Sequence, residues 1–368
     1  MKKTALLILC LLPLLSGCGQ LRAQSREVEQ LRLAETLGLD PAPEGLILSL
    51  AAPGGSEESP LFVRASGPTV ETAMEALRER SAEQELFCGH LQHILLGEAF
   101  AEQGLDALLA AVCRSPDLRV DMPVYLVLDA AAGDAMEQAE DGETGVCDLL
   151  NGLSVRGGTG LSTAGRILRD LDRQGSALIR ALKQEESPEA GSEAKVLVPW
   201  GFGVLTGGQL RERIPPEDAL AVELLTGELQ PCPLLLRDPQ NRRVTLELQA
   251  GETELLPLWD EGGRITGLEL RLQVQASVLE IQGFSRAADP RTLNTLTAAL
   301  EREVSRRAGR VLDLSRDLQA DFLGLGRRLE LSSPVRCRGL SRDLGALLPG
   351  LYLRITVQAE LRHSNDLN

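Results

Sequence analysis

Cys18 is the residue whose chemistry and setting say most about where this protein works. It follows Leu15-Ser16-Gly17, at the end of an apolar run over residues 4–15 that begins after Lys2 and Lys3. A basic start, about a dozen apolar residues and small residues before a cleavage point are typical of a secretory signal. The run is shorter than the roughly 20 apolar residues that span a bilayer. We therefore expect residues 1–17 to be a signal peptide.

The four residues Leu15-Ser16-Gly17-Cys18 resemble the lipobox of bacterial lipoproteins. In that pattern the cysteine sulfur takes a diacylglycerol group, and cleavage then makes the cysteine the N-terminus. This chemistry needs a thiol at one position and small residues before it. Because a single myristoyl chain binds membranes only marginally, two or three acyl chains on Cys18 would give stable anchoring. The alternative is an ordinary signal peptide that contains a cysteine by chance.

Cys88, His90 and His93 form a Cys-x-His-x-x-His pattern that could in principle hold zinc, since thiolate and imidazole are zinc ligands. The only other histidine is His363, and no Cys-x-x-Cys supplies further ligands. We favour the alternative interpretation, partly buried histidines at the entry to a strand. The sequence therefore predicts no metal site and no cofactor.

Three glycine or serine motifs fall short of known catalytic patterns. Residues 157–160, Gly-Gly-Thr-Gly, are not followed by the Gly-Lys-Ser/Thr of a phosphate loop. Ser162 lacks the Gly-x-Ser-x-Gly surround of a hydrolase nucleophile, and Gly324-Leu325-Gly326 is one glycine short of a dinucleotide fingerprint. No acid/base constellation stands out among the 53 carboxylates. We predict that the protein is not an enzyme.

The charge balance argues against nucleic acid as a partner. The net charge of −15 becomes −17 once the two lysines of the signal are removed, whereas nucleic acid favours basic surfaces. Beyond Cys10 in the signal and Cys18, five widely spaced cysteines remain. Their odd number and spacing do not indicate a disulfide framework or a zinc site, so we predict buried, apolar thiols, with one oxidised pair as the alternative. These residues are Cys88, Cys113, Cys147, Cys232 and Cys337.

The first half of the chain alternates short strands with amphipathic helices. Strands are predicted over 28–39, where a helix is the alternative, and over 45–51, 61–65, 89–97 and 124–128. Val70, Ala73, Met74 and Leu77 have the i, i+3, i+4, i+7 spacing of a helix, and the pattern recurs from Leu105 to Val112. A small helix is predicted near 131–136. A longer one is predicted from about 163 to 182, with Leu178 and Ile179 on its apolar face.

The second half combines long alternating strands with one long helix. Strands are predicted near 201–205, 244–248, 268–276 and 351–361, a helix near 215–225, and a long helix from Leu293 to about Gln319. Apolar and polar residues alternate over 268–276, so one face of this strand is expected to be exposed to solvent. Such a pattern is typical of antiparallel sheets. The predicted fold is α+β and multidomain, with mixed or antiparallel sheets, packed helices and the long helix over the C-terminal sheet.

The predicted domain organisation has four parts. Residues 1–17 are the signal peptide, 18–182 an N-terminal α+β domain, 183–195 a polar linker, and 196–368 a C-terminal α+β domain. A further division near residue 260 is left open. The linker is predicted because residues 183–193 carry four glutamates and no periodicity.

Five stretches in order along the chain carry a family resemblance. The first is the lipobox at Cys18, and the second is the helix start over residues 67–73, Gly-Pro-Thr-Val-Glu-Thr-Ala. The third is residues 90–98, His-Leu-Gln-His-Ile-Leu-Leu-Gly-Glu, running on to residues 114–119, Arg-Ser-Pro-Asp-Leu-Arg. The others are the strand, turn and acid-led helix from Gly201 to Glu217, and residues 321–326, Asp-Phe-Leu-Gly-Leu-Gly. Together they resemble the Ger(x)C family, the lipoprotein C subunit of spore nutrient-germinant receptors.

The resemblance implies a location and partners. Proteins of this family sit on the outer face of the spore inner membrane and assemble with two integral-membrane partners, the A subunit and a transporter-like B subunit. The complex responds to amino acids, sugars or nucleosides, and no catalysis is ascribed to the family. The function we expect is a membrane-anchored receptor subunit in spore germination. The first alternative is a lipid-anchored extracytoplasmic solute-binding protein of a transporter, and a lipid-anchored hydrolase comes third.

Overall fold

The computed structural model describes residues 31–54, 59–81, 85–140, 145–156, 159–186, 195–238, 240–282 and 290–363. Within them the fold is α+β, with three sheets and ten α-helices. None of the helices in this part of the chain is both long enough and apolar enough to cross a membrane.

The strands are β1 (Leu31–Leu33), β2 (Thr36–Pro41), β3 (Leu46–Ala52), β4 (Leu61–Gly67), β5 (Glu85–Phe87), β6 (His93–Gly97), β7 (Val124–Leu128), β8 (Ser176–Glu186), β9 (Lys195–Thr206), β10 (Gln209–Ile214), β11 (Cys232–Arg237), β12 (Arg243–Trp259), β13 (Ile265–Ile281) and β14 (Tyr352–His363). The α-helices are α1 (Val70–Arg80), α2 (Glu98–Gln103), α3 (Asp106–Val112), α4 (Ala132–Glu140), α5 (Val146–Arg156), α6 (Ala164–Gln174), α7 (Pro216–Thr226), α8 (Pro290–Asp317), α9 (Leu325–Ser332) and α10 (Leu340–Leu347).

An eight-stranded sheet forms most of the first half, in the order β10-β9-β8-β7-β6-β2-β3-β4. Its centre is parallel, from β2 through β6 and β7 to β8, and its two edges are antiparallel. Apolar residues of α1, α3 and α6 pack on one face, and those of α4 and α5 pack on the other. Both faces are covered, which explains why β6 and β7 are buried along their whole length.

A four-stranded sheet, in the order β11-β12-β13-β14, forms most of the second half. Leu268, Leu270, Leu272 and Val274 of β13 point to a core that also contains Leu296, Leu300, Val304 and Ala308 of α8. The predicted long helix over the C-terminal sheet is therefore confirmed. The predicted antiparallel setting of β13 holds only on one side, because β13 pairs antiparallel with β12 but parallel with β14.

The predicted helix over 163–182 was wrong in its second half. Helix α6 ends at Gln174, because Gly175 takes a left-handed conformation with φ +71° and its N–H bonds to the carbonyl of Leu171. Glycine reaches this region of φ without strain, and so ends helices in this way. Leu178 and Ile179 are buried in β8, where an apolar run in a central strand resembles one turn of helix.

The polar stretch predicted as a linker starts as a strand. Lys183 to Glu186 belong to β8 and pair with β9, where Glu186 lies opposite Lys195, so this part of the linker prediction was wrong. Residues 187–194 lie outside the described residues. The eight-stranded sheet runs past this point to Ile214. A division of the chain into two α+β domains here stays a prediction.

Most of the remaining predicted elements are present. The strand predicted over 28–39 is β1 and β2, interrupted at Ala34 and Glu35, with residues 28–30 outside the described part. Of the five cysteines predicted to be buried, Cys113 is exposed and Cys232 is half-buried, whereas Cys88, Cys147 and Cys337 are buried, and all five thiols are free. Cys113 follows the last residue of α3, where the buried stripe of that helix has already ended.

Candidate functional site

A cleft of about 500 Å³ opens at the carboxyl end of the parallel strands β2, β6 and β7. This edge is where α/β sheets commonly hold ligands, because several loops and helix N-termini meet there. Five carboxylates and one guanidinium contribute to its lining. They belong to Asp40, Glu98, Glu102, Asp129, Asp134 and Arg64.

Asp40 at the end of β2 fixes the start of α4. Its two carboxylate oxygens accept N–H bonds from Ala132, at 2.7 Å, and Gly133, at 2.8 Å. Burial raises the pKa of this carboxyl above its usual value, against the lowering effect of those two N–H groups. The close approach needs a glycine at the end of β6, since a Cβ on Gly97 would lie 2.0 Å from Asp40 Oδ1.

A second group of charges joins the start of α2, the residue after β7, and strands β8 and β10. Glu98 accepts from Arg213 Nε at 2.6 Å and from the backbone N–H of Asp129 at 3.0 Å. Arg213 also donates to Asp129 at 3.1 Å, and Lys183 Nζ lies 3.0 Å from the same carboxylate. The ammonium group of Lys183, and to a smaller extent the guanidinium group of Arg213, lower the pKa of Asp129. Asp129 has φ +58°, so the chain turns sharply at the end of β7.

Arg64 on β4 closes the other side of the cleft. Its guanidinium contacts Asp134 at 2.8 Å and Glu137 at 3.0 Å, both on α4. The buried Ser49 lies opposite Arg64 in the register of β3 and β4. Even with Arg64, Arg213 and Lys183 counted, carboxylates outnumber cations around the cleft. The arrangement therefore suits a cationic group, such as an ammonium or guanidinium, more than an anion.

The residues singled out in the Cys-x-His-x-x-His pattern do not converge. His93 is buried and its Nε2 lies 3.0 Å from Asn151 Oδ1, while burial lowers its pKa. His90 is exposed beside Gln92, and burial raises the pKa of the Cys88 thiol to about 11. Across the residues that the structure describes, no group of three or more His, Cys, Asp or Glu side chains could hold a metal ion.

The weaker motifs have structural uses. Ser162 is buried, its hydroxyl donates to the carbonyl of Val124, and it accepts the N–H of Arg180 at 2.9 Å. In the Gly324-Leu325-Gly326 segment, the N–H groups of Leu325 and Gly326 donate to Asp321, which positions the start of α9. Cys18 and residues 157–158 lie outside the described residues.

Sequence reasoning missed the cleft and most of its charged residues. Glu98 lies in a stretch with family resemblance and Asp40 begins a segment with turn chemistry, but no sequence motif marks Asp40, Asp129 or Arg213 as part of a site. A usable signal exists, because Asp40 is the second-last residue of a buried strand, and Glu98 and Asp129 each directly follow one. Arg213, which lies 115 residues from Glu98 along the chain, gives no such signal.

Comparison with known proteins places the chain among spore germination proteins. The family model described as "Spore germination protein N-terminal domain" matches residues 24–184. The family model described as "Spore germination B3/GerAC like, C-terminal" matches residues 201–365. No curated protein matches the sequence. A solved structure, "Crystal Structure of the GerBC protein", has a TM-score of 0.59 and 15% identity, and the match covers 88% of this chain and 96% of that chain. At that identity the likeness concerns the fold.

Proposed function

Because the chain belongs to the Ger(x)C family of spore germination proteins, we propose that it is the membrane-anchored lipoprotein subunit of a spore nutrient-germinant receptor. The observation that carries this proposal is the presence of both family domains, in order, over residues 24–184 and 201–365. In this role the protein assembles with the integral-membrane A and B subunits on the outer face of the spore inner membrane, and it acts by binding and not by catalysis.

The anchor in this proposal is an acylated Cys18. The basic start, the short apolar run and Leu15-Ser16-Gly17 before the cysteine support it. The acidic chain supports it too, because a protein of net charge −15 gains little from electrostatic attraction to anionic lipids. Acyl chains would then supply the attachment.

A binding role fits the charges of the cleft. Arg213 and Lys183 are engaged with Glu98 and Asp129, and Arg64 is engaged with Asp134 and Glu137. Ion pairs of this kind fix the positions of the side chains on a surface. A catalytic base, by contrast, must be free to contact the proton that it removes. A cationic side chain of a partner protein is the kind of group that this surface would accept.

The anchor is tested by replacing Cys18 with Ala in the spore-forming host. Cys18→Ala should abolish incorporation of a labelled fatty acid, move the protein out of the membrane fraction and slow nutrient-triggered germination. Cys113→Ala is the matched control, since it removes an exposed thiol from the folded part and should change none of the three. Normal germination and membrane recovery with Cys18→Ala would contradict the proposed anchor.

The partners are tested by recovering the tagged protein from detergent-solubilised spore membranes. The A and B subunits should be recovered with it. Reading frames adjacent to its gene should encode a large membrane protein with a soluble N-terminal domain and a transporter of about ten spans. A neighbouring permease and ATPase, with no A or B subunit recovered, would argue for the solute-binding alternative.

The solute-binding alternative has one structural observation in its favour, the cleft at the carboxyl edge of the parallel strands. If the cleft serves a free solute, the purified protein should bind a small cationic compound tightly in a calorimetric titration without any partner. Weak or undetectable binding by the isolated protein, together with recovery of the A and B subunits, supports the receptor role.

A further inference from the structure

One face of α6 is unusually rich in arginine for so acidic a protein. Arg166, Arg169 and Arg173 lie on it together with Asp170, at the i, i+3, i+4 and i+7 spacing that places side chains on one helix face. Arg327 of α9 reaches the same carboxylate from the other side. We refer to Arg166, Arg169, Arg173 and Arg327 as the arginine cluster.

Asp170 lies at the centre of the cluster and its side chain is only 12% exposed. Arg166 Nε donates to it at 2.9 Å, whereas Arg169 Nε and Arg327 Nη1 lie 3.6 Å and 4.0 Å from its oxygens. One carboxylate therefore faces three guanidinium groups and makes a good hydrogen bond with only one of them. Glu228 supplies a second negative charge, and its Oε1 accepts a hydrogen bond from Arg166 Nη1 at 3.2 Å.

The charges of the cluster are not balanced. Three of the guanidinium groups, those of Arg166, Arg169 and Arg327, contact only two carboxylates, Asp170 and Glu228. Asp321 lies near Asp170, but burial raises its pKa to about 7, so it adds less than a full negative charge. Burial, and after it the neighbouring arginines, lower the pKa of Arg327. By contrast, Arg310 donates two hydrogen bonds to the one carboxylate of Asp218.

Two donors in the cluster are unused. The Nε atoms of Arg169 and Arg327 are buried and have no hydrogen-bond partner within the described part of the chain. Their side chains as wholes are 40% and 32% exposed, so an anion from solvent would meet the ends of the guanidinium groups and not these buried Nε atoms. Buried N–H donors are normally satisfied, and a guanidinium is shaped to bind a planar or tetrahedral oxyanion with two donors at once.

We propose that the arginine cluster is a binding site for a phosphate group, held between α6 and α9. Helix α6 lies in the N-terminal family domain and α9 in the C-terminal one. A doubly charged oxyanion between the solvent-exposed parts of Arg169 and Arg327 would offset the excess positive charge and tie the two domains together. The site is separate from the cleft and does not depend on the receptor role. Inorganic phosphate, a soluble phosphomonoester and the phosphate of an acidic lipid headgroup share this chemistry.

The test is a titration of the purified full chain with inorganic phosphate at constant ionic strength, followed by thermal unfolding and by calorimetry. Phosphate should raise the unfolding midpoint in a saturable way, and an equal ionic strength of chloride should not. Arg327→Ala and Arg169→Ala should each weaken binding by about tenfold, since each removes charged hydrogen bonds. Arg327→Lys should recover only part of the loss, because lysine keeps the charge but not the forked donors.

Arg264→Ala is the matched control, because Arg264 is 87% exposed and pairs with a single carboxylate, Asp260. It should leave phosphate binding within about twofold of wild type. If wild-type protein shows no saturable effect of phosphate beyond that of chloride, and no binding to acidic vesicles, the proposal is overturned. It is also overturned if Arg169→Ala and Arg327→Ala fold and bind as well as Arg264→Ala.

A second arm separates the two sources of phosphate. Vesicles that contain phosphatidic acid are compared with vesicles of phosphatidylcholine alone, in a sedimentation assay of wild type and Arg327→Ala. Binding to the acidic vesicles that Arg327→Ala loses would assign the site to a lipid headgroup. Saturable binding of soluble phosphate without that vesicle binding would assign it to a soluble phosphate compound.

Discussion

Asp40 beside the cleft and Asp321 beside the arginine cluster each accept two consecutive backbone N–H groups at the start of a helix. Asp40 holds Ala132 and Gly133 of α4, and Asp321 holds Leu325 and Gly326 of α9. Burial raises the pKa of both carboxyls. The same device thus appears once in each family domain.

The surroundings of the two aspartates differ. Asp40 borders a cleft in which carboxylates are in excess, while Asp321 is 1% exposed and lies near the excess arginines. A buried acid at a helix start therefore fixes local geometry without deciding the charge of the surface beside it. That charge comes from residues on other elements, such as Arg213 for the cleft and Arg327 for the cluster.

The largest expected effect is the pH dependence that Asp321 gives to the unfolding free energy. Burial raises the pKa of Asp321 from the ordinary 3.8 of an aspartate to about 7 in the folded protein, so the folded state keeps a proton that the unfolded state releases. This contribution to stability is full below the unfolded pKa and is lost as the pH rises through the folded pKa. Between about pH 4 and pH 7, the unfolding free energy of wild type should fall relative to Asp321→Asn, by at most about 1.4 kcal/mol per pH unit. Denaturant unfolding at several pH values measures this, and parallel curves would contradict it.

Replacing each aspartate by alanine should have the next largest effect on the unfolding free energy. Asp321→Ala leaves two buried N–H groups without an acceptor and should cost about 3 kcal/mol, whereas Asp40→Ala should cost about 1–2 kcal/mol because water in the cleft can reach its donors. Urea unfolding of both variants at one pH gives the comparison. Equal losses of unfolding free energy would mean that the two pairs of N–H donors do not differ in their access to water.

Gly97→Ala tests how tightly β6 approaches Asp40. A Cβ there would overlap Asp40 Oδ1, so the variant should lose about 1–3 kcal/mol of unfolding free energy. Gly152→Ala in α5 is the control, because no atom lies within 4 Å of its added Cβ and alanine favours a helix interior by about 0.5–1 kcal/mol. Thermal unfolding should show opposite shifts, and a neutral Gly97→Ala would refute the close-packing argument.

The smallest difference concerns the arginines of the cleft. Arg213→Ala leaves Glu98, whose side chain is 12% exposed, without its cation and should cost about 1–2 kcal/mol after allowance for solvent screening. Arg64→Ala leaves only exposed carboxylates, those of Asp134 and Glu137, without their cation. It should therefore cost less than about 1 kcal/mol of unfolding free energy. Chemical denaturation of the two variants ranks them, and a larger loss for Arg64→Ala would reverse the comparison.

The periodicity of apolar residues in the sequence predicted the strands that have one solvent-exposed face and the helices that have one apolar stripe. The alternation of β13 and the stripe of α8 were found because burial there repeats with the period of the backbone. The helix wrongly extended to 182 fails for the opposite reason, since Leu178 and Ile179 lie in a strand covered on both faces. The cleft and the arginine cluster depend on pairs such as Glu98 with Arg213, and no local pattern links residues so far apart.

The place of β2 in the sheet has a mechanical consequence. Although β2 comes early in the chain, it lies between β6 and β3 and is hydrogen-bonded on both sides. A force pulling on the chain from its N-terminal side would first load the short ladder of β1 with β5. Transmitted along β2, the force would then load both of that strand's ladders in shear, so their hydrogen bonds would share the load. A strand at the rim of the sheet would instead peel away one bond at a time. The interior position of β2 should therefore resist a pull from the N-terminal side more strongly than a strand at the rim would.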